Sequence, residues 1–523
     1  MSEKTAKKNV QLLRASAFVA GFSLMVVELI ATRLMAPYVG SSIYTWTSVI
    51  GVILLGMSVG NYIGGEYVDR QGSRKALSKL FMLTSIATFT VPLLAYFSPL
   101  IVLSNLPLVV IIVLLAAILF FVPAVCFGTL YPGILKLYLE DVLQTGAQSG
   151  QVSALWSLGS IVGTFLTGFY FIGHIGSTTT VLLVALLLLG NAVMVSPLRR
   201  RVLAGIGALF VIVGMMTYAM HLFTDDRGKV FAAESDYYKI QVVDMQAKGK
   251  GPVRALFLDF DSHSVEGLNG QDLGMYPEMV PVFGAMNNGI HDALVLGGGA
   301  YTLSENIVEQ YKGVNVTTVE LDPKVRDVAD RYFRGKNHPI KTEISDGRVF
   351  LERTDKKYDL IFSDAYNSFI SVPWHMATKE FDQLAKDHLN NKGIFAINFT
   401  STRKGDDSAL FKSMERTFGS VFDNYYVFAY GNSEYEPQNI ILVGMNTDTL
   451  PDPEVVRQRI TQGTNGAFLS ARLIGSGTKM GDDVPMLTDA YAPVERLMTP
   501  LVDDYFSRYA TFYYGAIFPS DAK

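Results

Sequence analysis

Gly297, Gly298 and Gly299 stand together in "LVLGGGAYTLSENI" (294–307), where an apolar run gives way to a helical pattern. Residues without side chains let the backbone approach a ligand closely, and the amides that open the next helix can meet a carboxylate or a ribose. Thr302 stands where a dinucleotide fingerprint would place its third glycine, which disfavours a nicotinamide cofactor. Glu320 ends the following strand-like run, about 20 residues on, where an acid can accept from both ribose hydroxyls. Together these features point to a nucleoside; a structural turn and a surface acid are the plainer alternative. Asp346 in "SDGRVFL" could accept from an adenine amino group or could cap a helix N-terminus. Asp364 closes the apolar part of "YDLIFSDAYNS", which puts a carboxylate at the mouth of a strand beside the glycine turn. Partial burial there would raise its pKa and make it a base; capping a turn is its alternative.

The elements around these residues alternate. "ALVLGG", "VNVTTVELD", "IKTEIS", "YDLIFSDAY" and "GIFAINF" read as strands, with helical patterns at 303–312, 323–333 and 377–389. That order predicts an α/β, doubly wound, Rossmann-like sheet with its ligand at the carboxyl ends of the strands. "NYYVFAYG" and "NIILVGMN" read as a closing antiparallel pair, and "YYKIQVVDM" with "VRALFLDF" as a small β module ahead of the main domain.

The N-terminal half is different in kind. Seven apolar spans of roughly 20 residues, each long enough to cross a bilayer as a helix, fall near 14–36, 44–65, 77–97, 107–128, 152–173, 177–196 and 202–222. Gly128, Pro132 and Gly133 are expected to kink or end the fourth. The first carries Glu28 and Arg33 and has no small-residue cleavage site after it, so it is not read as a cleaved signal sequence. Those two ionisable residues either pair with neighbours near a helix end or serve a ligand or transport role. Lys and Arg gather before the first span and between the second and third and the sixth and seventh, placing the N-terminus in the cytoplasm. An odd number of spans then puts the C-terminal half outside, in conflict with any cytosolic co-substrate. A net charge of -4 gives no basic footprint for nucleic acid, and seven scattered His with one Cys offer no metal-ligand cluster. The expected organisation is a multi-pass α-helical transmembrane domain at 1–222, a linker and small β module at 223–285, and the Rossmann-like domain at 286–523.

"ALVLGGGAYTLSENI", "TTVELDPKV", "ISDGRVFL" and "YDLIFSDAY" resemble, in order and spacing, the spermidine synthase family of aminopropyltransferases. The resemblance extends to "ESDYYKIQV", "LFLDFDSHS" and "MYPEM" and covers about 230 to 445. "ELIATRLMAPYVGSS", "YTWTSVIGVILLGMSVGNYIGG" and "LTDAYAPVE" are similar to its membrane-fused bacterial members, whose helices resemble part of a major-facilitator transporter. The resemblance implies a methyltransferase-type fold, decarboxylated S-adenosylmethionine or S-adenosylmethionine as donor, an amine as acceptor, and no metal. Glu320 would hold the ribose, Asp346 and Gly347 would meet the adenine, and Asp364 would be the base. Tyr276 would line the acceptor channel, with Tyr238 and His263 as further substrate contacts. The family's diamine synthases carry acids where this chain has Ala300 and Asn367, and Pro277 replaces a polar residue. Losing two charged anchors, worth roughly 1.5–3 kcal/mol each, should weaken putrescine binding. Asp261, Glu278 and Asp489 are candidates to compensate, and Tyr237, Tyr238, Tyr276, Tyr301, Tyr366 and Trp374 could hold a cation over ring faces or simply pack a core.

The reading is therefore a membrane-bound transferase with an adenosyl sulfonium donor, most simply an aminopropyltransferase in a bacterial inner membrane. Its partners would be a small amine and the lipid bilayer, with a homo-oligomer left open. A methyltransferase or lyase on the same fold, or a transporter with a nucleoside- or polyamine-sensing domain, are the alternatives.

Overall fold

The computed structural model describes residues 3–102, 106–139, 145–195, 207, 214, 228–247, 251–259, 261–269, 273, 275–333, 340–365, 372–463, 465–477 and 483–502. The chain forms two compact units, one of helices with the segment Glu234–Tyr238 and one spanning Gly228–Ala233 and Lys239–Tyr509.

Among the described residues the helical unit holds six helices long and apolar enough to cross a membrane: Asn9–Val39, Ile43–Gln71, Arg74–Tyr96, Leu108–Tyr138, Thr145–His174 and Ser177–Val195. Of the expected seventh, 202–222, only residues 207 and 214 are among the described residues. Ser42 and Ser73 accept from the amides of Thr45 and Ala76 and so fix where the second and third helices begin. Of the two outcomes expected at Gly128, Pro132 and Gly133, a kink or an end, the fourth helix does not end there; it runs through all three to Tyr138, after a π-helical turn at Ala117–Phe121. The reason is close packing. A Cβ at Gly60 would lie 2.0 Å from the Val125 carbonyl oxygen, and one at Gly128 would lie 2.5 Å from that of Met57. Small residues repeated every fourth position let two helix backbones touch, and that packing outweighs the weak helix propensity of glycine. Arg33 is partnered within this unit, donating to the carbonyl oxygens of Ser235 at 2.7 Å and of Tyr237.

β1 (Lys229–Glu234), β2 (Lys239–Ala247), β3 (Gly251–Leu258) and β4 (Asp261–Gly267) form a small sheet in that order, all of it but Glu234 in the second unit. The main sheet comprises β5 (Asp292–Leu296), β6 (Asn315–Glu320), β7 (Ile340–Ile344), β8 (Tyr358–Ser363), β9 (Leu389–Ser401), β10 (Tyr425–Ala429), β11 (Gln438–Met445) and β12 (Leu473–Ser476). Its order is β12-β10-β11-β9-β8-β5-β6-β7. β7 to β9 on one side pair in parallel, and β9, β11, β10 and β12 pair antiparallel. The central strands are apolar on both faces, with Leu294, Val295, Ile361, Phe362, Phe395 and Ile397 buried, as helices on both sides of a sheet require. β5 and β8 lie side by side while the chain leaves β5 toward β6. This reversal opens a crevice beyond their carboxyl ends, where ligands of such sheets bind.

Candidate active site

The glycine turn and Asp364 meet at that reversal. The Asp364 amide donates to the Leu296 carbonyl oxygen at 2.7 Å, so the end of β8 is tied to the end of β5. Gly297 has φ +100°, and a Cβ there would lie 2.5 Å from the Asp364 carbonyl oxygen. Only glycine fits both the conformation and the space. Tyr301 follows at φ 65°, an αL conformation that costs a non-glycine residue about 1–3 kcal/mol. Its ring is buried, with the Arg326 guanidinium 4.8 Å from its centroid, and its amide closes the turn on the Gly298 carbonyl at 2.7 Å. Ala300 is buried as well, its amide donating to Ser264 Oγ on β4 at 3.0 Å. The position where relatives would hold an acid is therefore packed against the small sheet.

Asp364 is held from both sides. The Tyr276 hydroxyl donates to Oδ2 at 2.5 Å and the Asn398 amide to Oδ1 at 2.8 Å. Asn439 donates in turn to Asn398 Oδ1 at 3.2 Å, which fixes the amide so that its nitrogen faces the acid. Burial pushes the Asp364 carboxyl up to about 6, against the lowering effect of the two donors. Burial, followed by the nearby carboxylate charge, keeps the Tyr276 phenol well above its usual range, so it stays a donor. Asn398 on β9 and Asn439 on β11 are functional candidates that the sequence reading missed. A polar residue inside the apolar run "GIFAINF" was the available signal.

Glu320, at the end of β6, reaches back to the turn. Its Oε2 accepts from the amides of Gly298 at 2.9 Å and Gly299 at 3.2 Å, and its Oε1 from that of Asp322 at 2.9 Å. Burial raises its pKa while these three amides lower it. Farther along the same edge, Asp346 begins the helix Gly347–Arg353, and Oδ1 accepts from the amides of Arg348 and Val349 at 2.9 and 3.0 Å. Its Oδ2 is 2.9 Å from His375 Nε2, and this bond, more than the amides, holds the carboxyl below the usual range. A Cβ at Gly347 would lie 3.4 Å from Leu296 Cβ, so the start of this helix adjoins the glycine turn.

The other expected contacts fall elsewhere. Asp489 does not join the acids at Asp364. Both of its oxygens accept from Arg348, at 2.7 and 2.5 Å, and Thr378 donates to it at 2.8 Å. Its carboxylate is thus committed to a bidentate guanidinium pair, a strong charge-assisted contact. Glu278 accepts from the Leu273 amide at 3.0 Å. His263 is the residue skipped where the β3–β4 register shifts, one position before the Ser264 that touches the turn. Tyr238 belongs to the helical unit, in a turn closed on Ser235. Trp374 is half exposed and meets the His375 ring edge-on, with centroids 5.9 Å apart. Tyr366 and Asn367 lie outside the described residues.

Residues 274–450 match the spermine/spermidine synthase domain family. A "probable polyamine aminopropyl transferase" of Bifidobacterium longum is 30% identical over 198 residues, 37% of this chain and 42% of that protein. The polyamine aminopropyltransferase of Vibrio vulnificus is 31% identical over 170 residues, 32% of this chain and 54% of its own length. The chain thus spans about half the length of the curated relatives it matches. A probable spermidine synthase of Corynebacterium glutamicum, known from its crystal structure, superposes with a TM-score of 0.38 at 18% identity, over 50% of this chain and 98% of that one.

Proposed function

We propose, from a chain whose residues 274–450 belong to the spermine/spermidine synthase domain family, that the protein is a membrane-bound aminopropyltransferase with Asp364 as base. The observation that carries this reading is the buried Asp364 carboxyl, raised to about 6 and aimed by Tyr276 and Asn398 beside the glycine turn. A carboxyl of that strength is roughly nine-tenths ionised at neutral pH and is a stronger base than an ordinary aspartate. The donor is decarboxylated S-adenosylmethionine, with its ribose on Glu320, its adenine on Asp346 and Gly347, and its sulfonium toward Asp364. The acceptor is an amine. Its nitrogen must lose a proton before it attacks the methylene carbon next to sulfur. As the C–N bond forms, the C–S bond breaks, its electron pair stays on sulfur, and methylthioadenosine leaves. Asp364 takes the proton, and the protein holds nitrogen and carbon in line.

The packed-in Ala300 and the committed Asp489 favour an acceptor other than a plain diamine, because neither position offers a free carboxylate to a second ammonium. The six long apolar helices of the helical unit support the reading of a bacterial inner-membrane protein, and the Lys and Arg of its loops support an N-terminus in the cytoplasm.

The test is to isolate the full chain from the membrane fraction in detergent and incubate it with decarboxylated or intact S-adenosylmethionine, with and without a panel of amines. Mass spectrometry should find methylthioadenosine that depends on an amine. Methylthioadenosine without an acceptor would make the protein a lyase, S-adenosylhomocysteine would make it a methyltransferase, and a chain that stays soluble without detergent would remove the membrane assignment. Tyr276→Phe should reduce kcat/KM at neutral pH about tenfold or more, the worth of a hydrogen bond to a charged group. Because the Tyr276 bond lowers the Asp364 pKa, its loss should also move the acid limb of the pH–rate profile above 6. An unshifted limb would separate Tyr276 from Asp364.

A further inference from the structure

Asp346 has two jobs open to it, capping a helix and facing a ligand, and its two oxygens divide them. An ionised carboxylate offers about four lone-pair sites. The amides of Arg348 and Val349 fill the two on Oδ1, and that is the whole of the cap. His375 Nε2 fills one on Oδ2, at 2.9 Å. Since a carboxylate only accepts, Nε2 carries the hydrogen. Among the described residues one site on Oδ2 stays open, and the direction in which it points is set by His375.

His375 is itself braced. Its carbonyl oxygen accepts from Arg348 Nη1 at 2.9 Å, and Arg348 is forked by Asp489. The neighbouring Met376 lies so close to the helix start that a Cβ at Gly347 would come within 2.9 Å of its methyl carbon. The cap needs none of these contacts. They hold the segment that carries His375, whose ring meets Oδ2, the oxygen that the cap leaves over.

We propose that His375 is a positioning residue for the nucleobase: it fixes the last acceptor site of Asp346 toward a 6-amino group, and so makes the site prefer a 6-aminopurine to a 6-oxopurine. This rests on the reading of Asp346 as the adenine contact. A 6-oxo group presents an acceptor to an acceptor there, and the mismatch costs binding rather than merely failing to add to it. Asp489, expected at the amine, takes its place here at the far end of the brace.

The test is titration calorimetry on the full chain in detergent with 5′-methylthioadenosine and its 6-oxo counterpart, 5′-methylthioinosine. Wild type should favour the adenosine by at least tenfold. His375→Ala should lose about tenfold toward 5′-methylthioadenosine and far less toward 5′-methylthioinosine, and His375→Gln, which restores an N–H donor, should recover most of the difference. Equal losses for both ligands would mean that His375 only supports the fold, and unchanged discrimination would equally overturn the proposal. A wild type that binds neither nucleoside, or both alike, would instead bring down the donor reading beneath it.

Discussion

Asp364→Asn is expected to lower turnover on the order of 10³-fold, the range for loss of a positioned base, while 5′-methylthioadenosine affinity stays within about threefold. The amide has the shape of the carboxyl and still has an oxygen for one of the two donors, Tyr276 or Asn398, but it cannot take a proton. Unchanged turnover would remove Asp364 from the mechanism. The pH dependence has a definite sign. The base works ionised, so wild-type kcat/KM should rise with pH through about 6 and then level off. Stability runs the other way. A folded-state pKa raised from 3.8 to about 6 contributes stability that is fully present below 3.8 and lost as pH rises through 6. At pH 8 the buried charge costs the wild type roughly 3 kcal/mol. Asp364→Asn escapes that cost, so it should melt at a higher temperature than wild type at pH 8, with the gain shrinking toward pH 4. A variant that is less active and also less stable at pH 8 would point to a structural acid.

The contrast between Asp364 and Asn398 explains what could be read from the chain. The glycines and Asp364 sit where strands end, and strand ends are visible as the point where an apolar run meets polar residues. The parallel order from β5 to β9 followed from the alternation of the same runs. Asn398 lies inside a strand, 34 residues from Asp364, and its partner Asn439 lies another 41 residues on. Only the pairing of β9 with β8 and β11 brings them together. Ser264 and His375 were hidden for the same reason, since each acts on a residue of another element. The short β12 at the sheet edge carries four residues and too little pattern to be seen alone. That the helix continues past Gly128 has another cause. Glycine and proline break helices in water, but glycine in a helix pressed against another backbone is what allows the approach, and sequence alone does not show the neighbour.

Glu320→Ala should weaken 5′-methylthioadenosine binding by about tenfold or more, since the three amides leave the carboxylate one acceptor site, and one charged hydrogen bond to ribose is worth roughly 1.5–3 kcal/mol. The difficulty is that Glu320 also accepts from Gly298, Gly299 and Asp322, so its removal disturbs the turn as well. Loss of affinity alone does not say which role mattered. Glu320→Gln sharpens the question, because an amide has one oxygen where the carboxylate has two, and it must turn its NH₂ on either the glycine amides or the Asp322 amide. The decisive comparison removes the ligand's share of the contact. Wild type should bind the 2′,3′-dideoxy analogue far more weakly than 5′-methylthioadenosine, whereas Glu320→Ala should bind the two almost equally, since the hydroxyls then have no carboxylate to meet. If the variant still prefers the ribose by the wild-type factor, Glu320 shapes the glycine turn and another group holds the sugar.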